Sequence, residues 1–139
     1  PEVRPDQALQ TMEALCGAIG QGMVAACHDL SEGGIAVAAA EMAFAGDLGM
    51  SLNLGRAPLG EEIARDDVVL FSESNSRFLA EVPEALAAAF ESQMSGVPCA
   101  RIGTVTETPL LTVVGRDGKS LIEAEIQALR EAWIRPLDW

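Results

Sequence analysis

Two short stretches of this 139-residue chain hold most of the side chains able to do chemistry. The first, "HDLSEGG" at residues 28–34, contains the only histidine, His28, followed by Asp29, Ser31, Glu32, Gly33 and Gly34. It runs straight into an apolar stretch. A strand that enters a glycine-bearing turn and then a helix is a setting for anion binding. The first helical N–H groups lack internal partners and carry the positive end of the helix dipole. With Ser31 as N-cap, the N–H groups of Glu32, Gly33 and Gly34 face outward. The glycines then admit a phosphate close to the backbone, and Asp29 can hold a magnesium ion that bridges to it. The same residues also make a plain helix cap. Asp29 or Ser31 accepts from a helix N–H, the glycines serve close packing, and His28 bonds a backbone group. The spacing leaves both readings open. It is not a GxxxxGK[ST] loop, and nothing in it builds a Ser-His-Asp triad on His28.

The second stretch, "FSESNSRF" at residues 71–78, packs Ser72, Glu73, Ser74, Asn75, Ser76 and Arg77 between two phenylalanines. These acceptors, donors and one cation suit a polar ligand with amide and phosphate groups. They equally suit a solvated loop in which Glu73 pairs with Arg77 and the serines and asparagine make turns.

The elements that must position these residues follow from periodicity. Leu9, Met12, Leu15 and Ile19 predict a helix over 6–21, with Gly20 and Gly22 as stops. Residues 23–27 read as a buried strand and 28–34 as a turn. Residues 35–45 read as a helix apolar nearly all round and covered on both sides, ended by 46–49. Residues 50–54 alternate as a half-buried strand. Residues 55–67 read as a loop or short helix, and 68–71 as either a strand or a helical turn. Residues 78–82 alternate as a strand, and Pro83 suits the first turn of a helix carrying Leu86, Phe90 and Met94. Residues 101–106 and 110–114 read as adjacent strands, with a hairpin-type turn at 116–119. Ile122, Ile126, Leu129 and Trp133 mark a C-terminal amphipathic helix. This irregular alternation predicts an α/β fold of the α+β type, a mixed sheet with helices packed on it, in a single domain over 1–139.

Composition narrows the function. Nine basic residues stand singly against 21 acidic ones, for a formal charge of −12. No basic stripe exists to follow a nucleic-acid backbone. Cys16, Cys27 and Cys99 are odd in number and lack CxxC spacing, so they read as small buried hydrophobes in a reducing compartment rather than zinc ligands. No signal peptide and no bilayer-length apolar run is present, so a cytoplasmic location and no membrane partner are expected.

"HDLSEGGIAVAAAEMAFAG", then "LFSESNSRFLAEV", then "IGTV", resemble in order the C-terminal module of the aminoimidazole ribonucleotide synthetase superfamily. The form is that of the phosphoribosylformylglycinamidine synthase family, where the module occurs a second time as the last domain. Selenophosphate synthetase, thiamine monophosphate kinase and a hydrogenase maturation protein share the superfamily; "FSESNSRF" argues against the kinase. The resemblance covers roughly residues 23–133. It implies an ATP-dependent amidoligase of purine biosynthesis: formylglycinamide ribonucleotide, ATP and glutamine-derived ammonia give formylglycinamidine ribonucleotide, ADP and phosphate, with magnesium required. It also implies that the catalytic histidine and most ATP and substrate contacts belong to other domains, so no catalytic residue is expected here. The last module lines a second, pseudosymmetric nucleotide cleft. There Asp29 resembles a magnesium ligand and Ser31 a nucleotide contact, beside Gly33 and Gly34. Glu73-Ser74-Asn75 resembles the paralogous counterpart of a substrate-contacting "ESQ" segment, and with His28 and Arg77 makes a candidate substrate cleft. The alternative is a structural module that holds Mg-ADP without chemistry. The ending "IRPLDW" with no glutaminase domain, and the start at Pro1, resemble a fragment of the small synthetase form. Its partners are the remaining synthetase domains, a glutaminase subunit and a small accessory subunit. Such a fragment is expected to expose an apolar patch through which a dimer can form.

Overall fold

The structure is a computed structural model that describes residues 4–137. Helix α1 (Pro5–Gly20) starts with proline at its first position, where no N–H is missed. Strand β1 (Ala26–Asp29) leads through a turn into α2 (Gly34–Gly46). Then come β2 (Gly49–Asn53), α3 (Asp66–Phe71), β3 (Phe78–Glu81) and α4 (Ala87–Gln93). Strands β4 (Gly103–Thr106), β5 (Leu110–Val114) and β6 (Ser120–Glu125) precede the last helix, α5 (Ile126–Ile134).

The expected α+β class holds, with helices on mixed pairings. The strands divide between two sheets. A two-stranded antiparallel ribbon pairs β1 with β3, and a four-stranded sheet has the order β4-β2-β5-β6. In the larger sheet β2 runs antiparallel to β4 and parallel to β5. Strands β4 and β5 are therefore not neighbours, since β2 lies between them. Their connection crosses the start of β2 at Gly49, where a Cβ would stand 1.8 Å from the Thr108 carbonyl oxygen. Only glycine leaves that crossing open.

Other boundaries move for identifiable reasons. Strand β1 takes in His28 and Asp29, because Asp29 registers opposite Phe78 and His28 opposite Leu79. Residues 66–71 settle as helix, with Asp66 and Asp67 in the first turn. The Asp66 carboxylate bonds the Arg116 side chain and fastens α3 to the β5–β6 hairpin. Ile122 belongs to β6, opposite Val113, and not to the helix. The 122–126–129–133 spacing imitates a helical stripe, but "LIEAE" also alternates, and pairing with β5 decides the first part of it.

Helix α2 is the centre of the main core. Ile35, Ala36, Ala38, Ala39 and Ala43 are buried. The small alanine side chains let α3, α5 and the sheets close on it, around Leu54, Val69, Leu111, Val113 and Ile126. A second cluster joins α1 and α4 through Leu15, Ala18, Phe90 and Met94, against Phe78, Ala80 and Val82. Of the α1 stripe only Leu15 is buried; Leu9, Met12 and Ile19 are 58%, 44% and 47% exposed. The three cysteines are exposed as well, contrary to the buried positions expected of them.

The seat of α2 depends on Gly34. Its φ is +61°, and a Cβ there would lie 2.6 Å from the Leu70 oxygen and 2.7 Å from the Ser72 oxygen. Gly34→Ala should therefore destabilise the chain by about 3 kcal/mol in urea unfolding, from left-handed strain plus a clash with rigid backbone. Gly20→Ala, with open space around it, should be neutral or stabilising by up to about 1 kcal/mol. Equal effects at the two positions would contradict this account.

Candidate functional site

Pairing of β1 with β3 brings the two polar stretches together although 40 residues separate them. Asp29 and Phe78 face each other at one end of the ribbon. Just beyond, the Leu30 N–H donates to the Arg77 carbonyl at 2.9 Å. The Gly33 N–H donates to Glu73 Oε1, also at 2.9 Å. Residues 28–34 and 72–78 thus form one continuous mouth.

The details differ from the expected cap. Gly33, not Ser31, is the N-cap of α2, with φ +73° and no side-chain cap. The donor expected to face outward from Gly33 is taken by Glu73, so the protein's own carboxylate occupies this part of the helix N-terminus. Glu73 consequently does not pair with Arg77. Arg77 turns its Nη1 to Ser72, at 2.7 Å from Oγ and 3.2 Å from the carbonyl oxygen.

Ser31 instead serves Asp29. Its hydroxyl donates to the Asp29 carboxylate, which with a backbone bond and nearby His28 holds that carboxyl below the ordinary carboxylate range. The Asp29 side chain is 60% exposed. It is an ionised, accessible oxygen ligand of the kind a hard cation takes. Among the described residues no three His, Cys, Asp or Glu side chains gather as a metal site. Asp29 fits magnesium as a single ligand, with phosphate oxygens, water or other groups completing the shell.

His28 is engaged elsewhere. Its Nε2 lies 2.8 Å from Glu41 Oε2 and its Nδ1 2.6 Å from the Asp29 carbonyl oxygen. The other Glu41 oxygen accepts from Trp133 Nε1 at 2.9 Å, and the Trp133 ring stacks at a tilt on Phe44. Sequence reasoning missed this bracket between β1, α2 and α5. The signal was there: Glu41 is the one charge in an otherwise apolar helix and needs a partner.

The mouth opens beside a cavity of about 940 Å³ between the α1–α4 layer and the β4 side of the larger sheet. Ser74, Asn75 and Arg77 line it, over an apolar floor that includes Leu30, Ile35, Met50 and Leu52. Asp29, Ser31, Gly33, Glu73 and His28 are not in its lining. The candidate residues therefore face two sides of one loop pair.

A ribbon-and-helix mouth over a mixed sheet is the architecture of a known class. The chain belongs to the family described as AIR synthase related protein, C-terminal domain, which matches residues 1–116. Among curated proteins it is similar to the phosphoribosylformylglycinamidine synthase subunit PurL of Deinococcus radiodurans, at 35% identity over 137 residues, covering 99% of this chain and 18% of that protein. Among solved structures it is similar to T. maritima PurL complexed with FGAR, with TM-score 0.81 and 25% identity, covering 91% of this chain and 21% of that one. The T. maritima PurL structure complexed with ATP gives TM-score 0.77 and 26% identity over 86% of this chain and 21% of that one. The chain thus spans less than a fifth of the length of its Deinococcus relative. No helix of the described residues is long and apolar enough to cross a membrane.

Two outcomes follow. Glu73→Ala should cost about 1 kcal/mol of stability, the scale of a lost helix-terminal acceptor, and should expose the Gly33 amide to faster hydrogen exchange. Ser31→Ala should raise the Asp29 carboxyl toward the ordinary carboxylate range, read by carboxyl NMR. Because the folded value is depressed, the advantage of wild type over Ser31→Ala is full above the unfolded value. It disappears as pH falls through the lower folded value. An unchanged Asp29 titration in the variant would refute the Ser31 assignment.

Proposed function

We propose that this chain is the C-terminal module of a phosphoribosylformylglycinamidine synthase and forms one wall of a magnesium–nucleotide cleft. The parent enzyme converts formylglycinamide ribonucleotide, ATP and glutamine-derived ammonia to formylglycinamidine ribonucleotide, ADP and phosphate, in the cytoplasm. The observation that carries the reading is the 2.9 Å bond from the Gly33 N–H to Glu73, which joins the two family-like motifs in one mouth. The kinship to PurL subunits, one of them solved with ATP, supports the nucleotide.

In this reading Asp29 holds magnesium, kept ionised by the Ser31 hydroxyl. When bound, magnesium supplies charge neutralisation for nucleotide phosphates. Ser31 and Gly34, with Gly33, lie at the helix end nearest those phosphates. Ser74, Asn75 and Arg77 flank the substrate side, with Glu73 and His28 fixing the loops they stand on. No group of this chain is assigned a proton-transfer role; His28 is held between Glu41 and the Asp29 carbonyl. The chain's partners are the remaining synthetase domains, a glutaminase subunit and a small accessory subunit. The uncovered Leu9, Met12 and Ile19 face of α1 supports packing against such neighbours.

Calorimetric titration with Mg-ADP tests the reading, in this chain and in a full synthetase subunit carrying Asp29→Ala at the equivalent place. Binding should weaken about tenfold or more with the substitution. Equal binding would leave Asp29 only its place at the end of β1. The isolated chain, given formylglycinamide ribonucleotide, Mg-ATP and ammonia, should release no phosphate at enzyme-like rates.

A further inference from the structure

We infer that Arg77 anchors the phosphate group of a small molecule in the cavity beside the 72–78 loop. The inference rests on the substrate-cleft part of the reading above and is independent of its magnesium part.

The argument starts from an ion pair that is not made. Arg65, Arg101 and Arg116 each meet a carboxylate, from Asp67, Glu84 and Asp66. Arg77 is more enclosed than Arg65 or Arg101, yet no carboxylate pairs with it among the described residues, although Glu61, Glu81, Glu84 and Glu91 share the cavity lining. Burial alone acts on it and pushes its pKa down. The chain has 21 acidic side chains, so supply is not the limit. Glu73, four residues away, is committed to the Gly33 N–H instead. A partly desolvated cation without a counterion is a cost that a bound anion removes.

The remaining donors suit a phosphate. Of the five guanidinium N–H bonds, those on Nη1 serve the Ser72 carbonyl and hydroxyl. The Nε and Nη2 edge, the fork that grips two oxygens at once, has no protein acceptor among the described residues. Ser74, Asn75 and Ser76 share the cavity lining with Arg77 and add hydroxyl, amide and backbone donors. Ser76 has φ +60°, an uncommon conformation for a serine that shapes the loop here. The Leu30 N–H bond to the Arg77 carbonyl fixes the backbone from which the guanidinium projects.

The test uses the whole chain in metal-free buffer with a chelator, titrated with inorganic phosphate and followed by NMR at the Arg77 Nε–H and the amides of residues 74–76. Saturable shifts are expected. Arg77→Gln should weaken binding about tenfold or more, the scale of a lost charged hydrogen-bond pair, and Arg77→Lys should weaken it less. Arg101→Gln, at a cavity-lining arginine already paired with Glu84, should change it by less than about twofold on the same scale. No saturable shift, equal affinity in Arg77→Gln and Arg77→Lys as in wild type, or tighter binding of acetate than of phosphate would overturn the proposal. Because no metal is present, failure here leaves the Mg-ADP result untouched, and loss of Mg-ADP binding leaves this result untouched.

Discussion

Everything in this domain leans on the contact of α2's first residue with the backbone of residues 70–72. No side-chain atom fits between Gly34 and the carbonyl oxygens of Leu70 and Ser72. That closeness brings the end of α3 onto the start of α2, and so places the 72–78 loop beside the 28–34 turn. The Glu73 bond to Gly33 and the Leu30 bond to Arg77 are then local consequences. They could not form if the helix stood a methyl group further away.

The same seat explains the division of labour among the polar residues. A carboxylate placed at a helix N-terminus is stabilised by the dipole and by an orphan donor. Once Glu73 takes that place, its neighbour cation must find other acceptors, and Arg77 finds only Ser72. Once β1 extends through Asp29, His28 turns to α2 and meets Glu41. Its ring nitrogens are then occupied by a carboxylate and a carbonyl. The residue with the most catalytic-looking chemistry in the sequence is a bracket between a strand and a helix.

Much of this was legible in the sequence, and the failures have physical causes. The apolar run ahead of "FAG" declared a covered helix, and α2 is one. Local alternation found β2 and β3; in β2 it follows burial, with Met50 and Leu52 buried and Ser51 and Asn53 less so. Strand order was not legible, since it depends on which segments meet across the chain. The place of β2 between β4 and β5 rests on a glycine whose meaning shows only beside Thr108. The two motifs were legible as chemistry, but their union was not, because it is made by a ribbon that pairs residues 26–29 with 78–81. Ser31 looked like the cap since serine commonly is one. Two successive glycines with positive φ let the helix begin later and freed the hydroxyl for Asp29.

The place of β2 in the larger sheet also sets an order of events. Its hydrogen-bonding edges are completed by β4 and β5, which begin only at Gly103 and Leu110. Until residue 106 has been made both edges of β2 stand open, and one of them stays open until residue 114, with the sheet-facing side of α2 uncovered. Closing such long loops precedes any reward from the contacts they bring. A ribosome stalled between Asn53 and Gly103 would therefore present an adhesive intermediate rather than a smaller stable domain. The last third of the sequence, which holds none of the polar mouth, is what makes the mouth durable.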